Sequence, residues 1–157
     1  MRLQDFIADQ TLLAAEELFL QARQIPEDKL AWRAMDEGRT ALDQLQECAA
    51  APSSYTNILR REPKAFLDSD REKRQLAKAT WLTVDKCETE CRERTAILLE
   101  IIRAIPDTAL SDSVMMPWGE EWKISDVSAM HYWNLVYHTG QICFIQTLLG
   151  DKEVHSL

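Results

Sequence analysis

The chain has 157 residues, 46% hydrophobic and 28% charged, a composition that fits one globular domain over residues 1–157. Its 18 basic residues against 26 acidic ones leave a formal net charge of −8, which argues against nucleic acid as a partner, because a phosphate backbone demands clustered Lys and Arg. No run approaches the ~18 apolar residues of a membrane span, and the opening MRLQDFIADQ lacks both a long apolar core and a small-residue cleavage site, so a cytoplasmic protein is expected.

The first predicted helix covers Leu3 to Gln24, with Phe6, Leu13, Glu17 and Leu20 near one line and Leu12, Phe19 and Ala22 widening the stripe. Pro26 ends it, and Leu30 and Trp32 pin the connector IPEDKLAWRAMDEG to the core. A second helix starts at Thr40, an N-cap with Asp43 three residues on, and turns Leu42, Leu45 and Ala49 inward. Pro52 and two serines interrupt it before SYTNILRR resumes. The third and longest helix is expected from Ser69 to Ile105, its inward stripe formed by Leu76, Ala79, Thr80, Thr83, Cys87, Thr95, Leu98 and Ile102. The cationic runs LRREPK and DREKR are interleaved with acids and read as solvated helix ends. VMMPWGEEWKIS predicts a short hairpin or turn around PWGE. A last helix, capped by Ser125, runs to Leu149 and stops at Gly150. The expected fold is therefore all-α, a four-helix bundle with a small hairpin before its last helix.

Cys87 and Cys91 in CETEC are one helical turn apart, without the C-x-x-C spacing of a redox pair and without a second ligand pair at zinc-site spacing. All four cysteines read as free thiols, with Cys48 and Cys143 as small core fillers. The last helix is more informative. His131, Asn134, His138 and Gln141 follow steps of three, four and three, beside the apolar strip Leu135, Ile142, Ile145 and Leu149. Buried polar groups without partners cost roughly 1–3 kcal/mol each, so this line is either a hydrogen-bonded seam between helices or the wall of a site. Glu47, in a stretch otherwise poor in charge, is the candidate for a further ligand from another helix, against the plainer reading of a surface glutamate. Tyr137, Trp118 and Trp133 are candidate pocket walls.

The run YHTGQICFIQTLLG resembles the signature of the DinB/YfiT-like superfamily, in which the last helix carries a histidine followed by Gly-Gln and an apolar tail. The approach PEDKLAWRAMDEGRTALDQLQECA, with its tryptophan and Gly38-Arg39-Thr40 turn, and the PWG element ahead of the final helix are similar as well, so the resemblance spans almost the whole chain. It implies a divalent-metal site, which that family builds from one histidine on the second helix and an H-x-x-x-H pair on the last. Carried over, His138 matches the final histidine, Asn134 stands where the other histidine of the pair is usual, and the second-helix position falls on Glu47. The implied set is thus Glu47, Asn134 and His138. Such an oxygen-rich set suits Zn²⁺, Ni²⁺, Mn²⁺ or Fe²⁺, with zinc less favoured than in an all-histidine site. His131 lies two turns from His138, about 10 Å of rise, too far to share one ion with it.

The resemblance implies two functions. One is a metal-dependent transferase, isomerase or hydrolase-like enzyme using a low-molecular-weight thiol such as mycothiol or bacillithiol, the ion favouring the reactive thiolate. The other is a non-catalytic, stress-related helical protein that binds a small ligand or a partner through a degenerate site. A homodimer is implied under both.

Overall fold

The computed structural model describes the backbone of residues 1–62 and 68–157 and the side chains of residues 1–62 and 71–157. Five α-helices, two short 3₁₀ turns and one two-stranded sheet make up the described chain. Helix α1 covers Leu3–Ala22, α2 Ala41–Leu59, α3 Asp68–Lys78, α4 Val84–Ala104 and α5 Ile124–Leu148; strands β1, Ser113–Met115, and β2, Glu121–Lys123, pair antiparallel. Helix α2 packs on α4 and α5, and α1 packs on α5 and α4. The main core gathers Leu18, Phe19, Leu45, Ala49, Leu135 and Ile142, with Trp81 and the thiols of Cys48, Cys87 and Cys91 beside them. Part of the run LRREPK falls outside the described residues.

Local chemistry sets most of the boundaries. Thr40 closes a capping box with Asp43, each side chain accepting from the other's backbone N–H at 2.9 Å. Gly119 takes φ +90° in the hairpin turn, where an L side chain is disfavoured. Helix α5 ends in a Schellman arrangement: Gly150 takes φ +98°, its N–H donates to the Thr147 carbonyl, and the Asp151 N–H donates to the Gln146 carbonyl. As expected, Leu30 is buried under the connector and Trp32 packs against the core.

The structure corrects four expectations. The first concerns the third helix, which is not continuous from Ser69 to Ile105 but splits into α3 and α4 at Thr80–Thr83. Gln46 of α2 donates to the carbonyls of Lys78 and Trp81, taking up acceptors that a continuous helix would use, and the Thr83 hydroxyl caps α4 by accepting from the Lys86 N–H. The inward stripe holds for Cys87, Thr95, Leu98 and Ile102, whereas Leu76, Ala79, Thr80 and Thr83 are exposed.

The second correction is that Pro52 does not interrupt α2 but lies buried inside it. Proline leaves the carbonyl four residues back without its helical donor. Here that carbonyl belongs to Cys48, and the Cys91 thiol of α4 donates to it at 3.5 Å. Third, α1 buries Ile7, Ala8, Thr11, Ala14, Ala15 and Leu18, leaving Phe6, Leu12 and Leu13 outward. Its small residues let neighbouring helices approach closely, which the large apolar line would not. Fourth, Ser125 does not cap α5. The helix begins at Ile124, and the backbone carbonyls of Asp112 and Leu110 accept from Ile124 and Ser125.

Candidate functional site

The hydrophobic pattern of α5 turns His131 and His138 fully inward, but their surroundings differ. His131 Nε2 pairs with the Thr95 hydroxyl of α4 at 2.8 Å, its Nδ1 has no hydrogen-bond partner, and the Tyr55 ring lies 6.2 Å away. Burial pushes its pKa down to about 3, so the ring is neutral at physiological pH. It belongs to a seam between α4 and α5.

His138 faces α2 instead. Its Nδ1 meets the side-chain oxygens of Gln44 and, at 3.3 Å, Gln141. Both are acceptors, so Nδ1 carries the proton and donates it. The opposite nitrogen, Nε2, is thereby turned on Glu47 Oε1 at 3.6 Å. Glu47 stands at the rim of the core with its side chain 41% exposed, and Arg39 donates to its other oxygen at 2.6 Å. The nearby His138 imidazole is the largest influence on the Glu47 carboxyl, and with Arg39 it outweighs partial burial and holds the group down to about 2. Glu47 is therefore ionised in the folded protein.

Asn134 lies one turn before His138 on α5. Its amide oxygen is buried and has no hydrogen-bond partner, an arrangement that leaves a desolvated acceptor uncompensated. Asn134 lines a cavity of about 730 Å³ whose other walls include Tyr55, Trp122, Met130, Trp133 and Tyr137. This is the size and largely apolar lining of a small-molecule site, for which volumes of roughly 300–1,000 Å³ are usual. Trp133 and Tyr137, singled out in the sequence, thus stand on the cavity wall. Trp118 is not among its lining residues: it is half-exposed at the hairpin turn, packs edge-on against Trp122 at 5.5 Å, and donates to Glu120.

Three participants escaped the sequence reading. Gln44 fixes the His138 ring, Arg39 neutralises Glu47, and Tyr55 joins the cavity to the Glu47 side of α2. Gln44, Glu47 and Tyr55 share a helix face at steps of three and eight. Reading Pro52 as a break hid that relation.

Among the described residues no three His, Cys, Asp or Glu side chains converge as a metal-binding group. The donors that do converge are one carboxylate and one imidazole, with the orphaned Asn134 oxygen one turn away on α5. This set fits a divalent cation as two strong donors and one weak one. The four thiols stand apart: Cys48, Cys87 and Cys91 are buried, and desolvation raises the pKa of each, Cys87 to about 12 and Cys91 to about 11.

The fold is that of the DinB-like proteins. The chain superposes on a DinB-like protein of Bacillus subtilis, YjoA, with a TM-score of 0.69 over 96% of both chains at 11% identity. It also superposes on a histidine-to-alanine variant of mycothiol-dependent maleylpyruvate isomerase, with a TM-score of 0.70 over 90% of this chain at 14% identity, and spans 63% of that enzyme's length. No protein-family model and no curated protein matches the sequence. Among the described residues no helix is long and apolar enough to cross a membrane.

Proposed function

We propose that the protein is a divalent-metal-dependent enzyme of the DinB-like type, a four-helix bundle of α1, α2, α4 and α5 that transfers or isomerises a small substrate with the help of a low-molecular-weight thiol. The site lies between α2 and α5. The observation that carries the reading is His138: it is fully buried, its Nδ1 is tied down by Gln44, and its Nε2 is aimed at an ionised Glu47. With Nδ1–H held by Gln44, Nε2 is the ring nitrogen left to face the Glu47 carboxylate, and a cation set between the two would be stabilised by both. Glu47 and His138 would hold the ion, Ni²⁺, Zn²⁺, Mn²⁺ or Fe²⁺, with Asn134 contributing its unpartnered oxygen. When bound, the ion supplies a lowered thiol pKa.

The protein's own residues do the rest. Gln44 fixes the tautomer and plane of His138, and Arg39 keeps Glu47 at the rim. Tyr55, Trp122, Trp133 and Tyr137 offer apolar walls that exclude water from a substrate body. The reactive thiol would come from outside, since burial keeps Cys48, Cys87 and Cys91 protonated. The solved relative whose name includes mycothiol supports a thiol-dependent reaction by fold alone. Metal content of tag-free protein, with His138→Ala beside wild type, tests the reading.

One observation favours the second reading, a small-ligand-binding protein that holds no ion. Arg39 already occupies one Glu47 oxygen, and a protonated His138 would satisfy the other as a simple ion pair. That version predicts the same cavity and no metal requirement. A homodimer forms part of both readings. It is supported by the outward stripe of α5, where Val136 and Phe144 lie exposed four residues either side of Gly140, which has open space over its Cα.

A further inference from the structure

On the far side of Tyr55 from the aromatic cavity lies a second recess, of about 330 Å³, between α2 and α3. Glu47, Ser54 and Tyr55 line it from α2, and Arg71, Arg74 and Lys78 from α3. The three cations follow steps of three and four residues, which bring them to one face of the helix. The chain carries a net charge of −8, and many of its cations sit beside carboxylates. Arg2, Arg23, Arg39, Lys86, Arg92, Arg94 and Arg103 each have a carboxylate within 4.0 Å. Arg71, Arg74 and Lys78 have none among the described residues; Arg74 donates to the Ser54 hydroxyl at 3.0 Å, which fastens the cationic face to α2. The recess does contain one carboxylate, but Arg39 and His138 already flank Glu47. The DREKR run is therefore not merely a solvated helix end. Its Arg71 and Arg74, with Lys78, bring positive charge without a carboxylate partner among the described residues to a concave surface, where charge-assisted hydrogen bonds to an anion are strongest.

Glu47 opens on this recess, Asn134 on the aromatic cavity, and Tyr55 on both. The geometry points to a ligand in two parts: an acid group, carboxylate or phosphate, seated on Arg71 and Lys78, and an apolar or aromatic body lying past Tyr55 in the cavity of Trp122 and Trp133. This deepens the small-molecule reading of the site and rests on it, but not on whether a metal is bound. The recess, of about 330 Å³, is sized for a single acid group and its neighbours.

The test is a fluorescence titration of the full chain with anilinonaphthalene sulfonate, an aromatic anion of this design. Wild type is compared with the Arg71→Gln/Lys78→Gln double variant, and circular dichroism checks that both are folded. Binding is expected to weaken about tenfold or more in the variant, as loss of hydrogen bonds to a charged group implies, while the uncharged phenylnaphthylamine binds both proteins equally. Inorganic phosphate and benzoate, each added at constant ionic strength, identify the acid group: displacement of the probe by one or both supports the proposal and names the chemistry. Equal binding of the sulfonate to wild type and variant, or no displacement by either anion, overturns it. Nickel titration of the same samples separates the two claims. The double variant should bind nickel as wild type does, and an arylsulfonate site that survives His138→Ala while no protein binds nickel would end the metal reading and leave the anion site standing.

Discussion

His138 Nε2 faces the Glu47 carboxylate at 3.6 Å while Gln44, with Gln141 beside it, holds the other ring nitrogen. The order of command runs from the Thr40–Asp43 capping box, which sets the phase of α2, through Gln44 one turn on, to the imidazole of α5 and back to Glu47. Gln44 is itself buried, so its amide has little freedom to leave. Removing that acceptor should cost more than a neutral hydrogen bond, because ring orientation goes with it. Gln44→Leu is predicted to keep the fold and weaken nickel binding by roughly 10–100-fold, the usual effect of losing a group that orients a metal-binding histidine. Isothermal titration of wild type and variant checks it; equal affinities would remove Gln44 from the site.

His131 makes a prediction of opposite character, since it stabilises by staying neutral. Its folded pKa is lowered by burial to about 3, against an ordinary value near 6.5. The unfolded chain therefore binds the proton first as pH falls. The stability tied to His131 is complete above about pH 6.5 and drains away between there and pH 3, at up to about 1.4 kcal/mol per pH unit. Urea unfolding at pH 7, 6 and 5 should show this slope in wild type and a shallower one in His131→Leu. Parallel curves for the two proteins would count against a neutral, desolvated His131.

Burial should also govern thiol reactivity. Cys48, Cys87 and Cys91 are enclosed and held protonated, whereas Cys143 is only half-buried. Titration of the native protein with an aromatic disulfide reagent is expected to modify Cys143 alone at an appreciable rate, and all four thiols once urea is added. Rapid native modification of Cys91 would mean that the α2–α4 contact opens readily. Because Cys91 supplies the donor for the Cys48 carbonyl freed by Pro52, Cys91→Ala should lower stability by about 1–3 kcal/mol.

The apolar stripe of α5 makes the oligomer testable. Trp133, Val136, Tyr137, Phe144 and Leu148 are all exposed on one chain, more contiguous apolar surface than a monomer commonly shows. Sedimentation is expected to give a dimer, and Phe144→Glu a folded monomer. A monomeric wild type at micromolar concentration would assign the stripe another partner.

The sequence made much of this architecture readable, for reasons that can be located. Thr40, Gly119 and Gly150 are local signals whose chemistry acts within a few residues, and each stands where that chemistry requires. The polar line on α5 was visible because steps of three and four survive any packing. What could not be read were effects supplied from another helix. Pro52 looks like a stop until the Cys91 thiol, 43 residues away in sequence, is seen donating to the carbonyl it frees. The run through Thr80–Thr83 looks helical until Gln46 claims two of its carbonyls. On α1 both faces carry apolar residues, and only packing decides that the alanine face goes inward while Phe6 and Leu13 remain outside. At the candidate site, the resemblance points to Glu47, Asn134 and His138, whereas Gln44, Arg39 and Tyr55 acquire their places only once α2 is one unbroken helix.

The central claim is that Glu47 and His138 hold a divalent ion. Its most direct test is elemental analysis and nickel-dependent melting of tag-free protein, for wild type, Glu47→Gln and His138→Ala. The account predicts near-stoichiometric metal and a raised Tm on nickel addition in wild type, with both lost in His138→Ala and weakened in Glu47→Gln. Wild-type protein that carries no metal and melts at the same temperature with and without nickel, zinc, manganese or iron would contradict it.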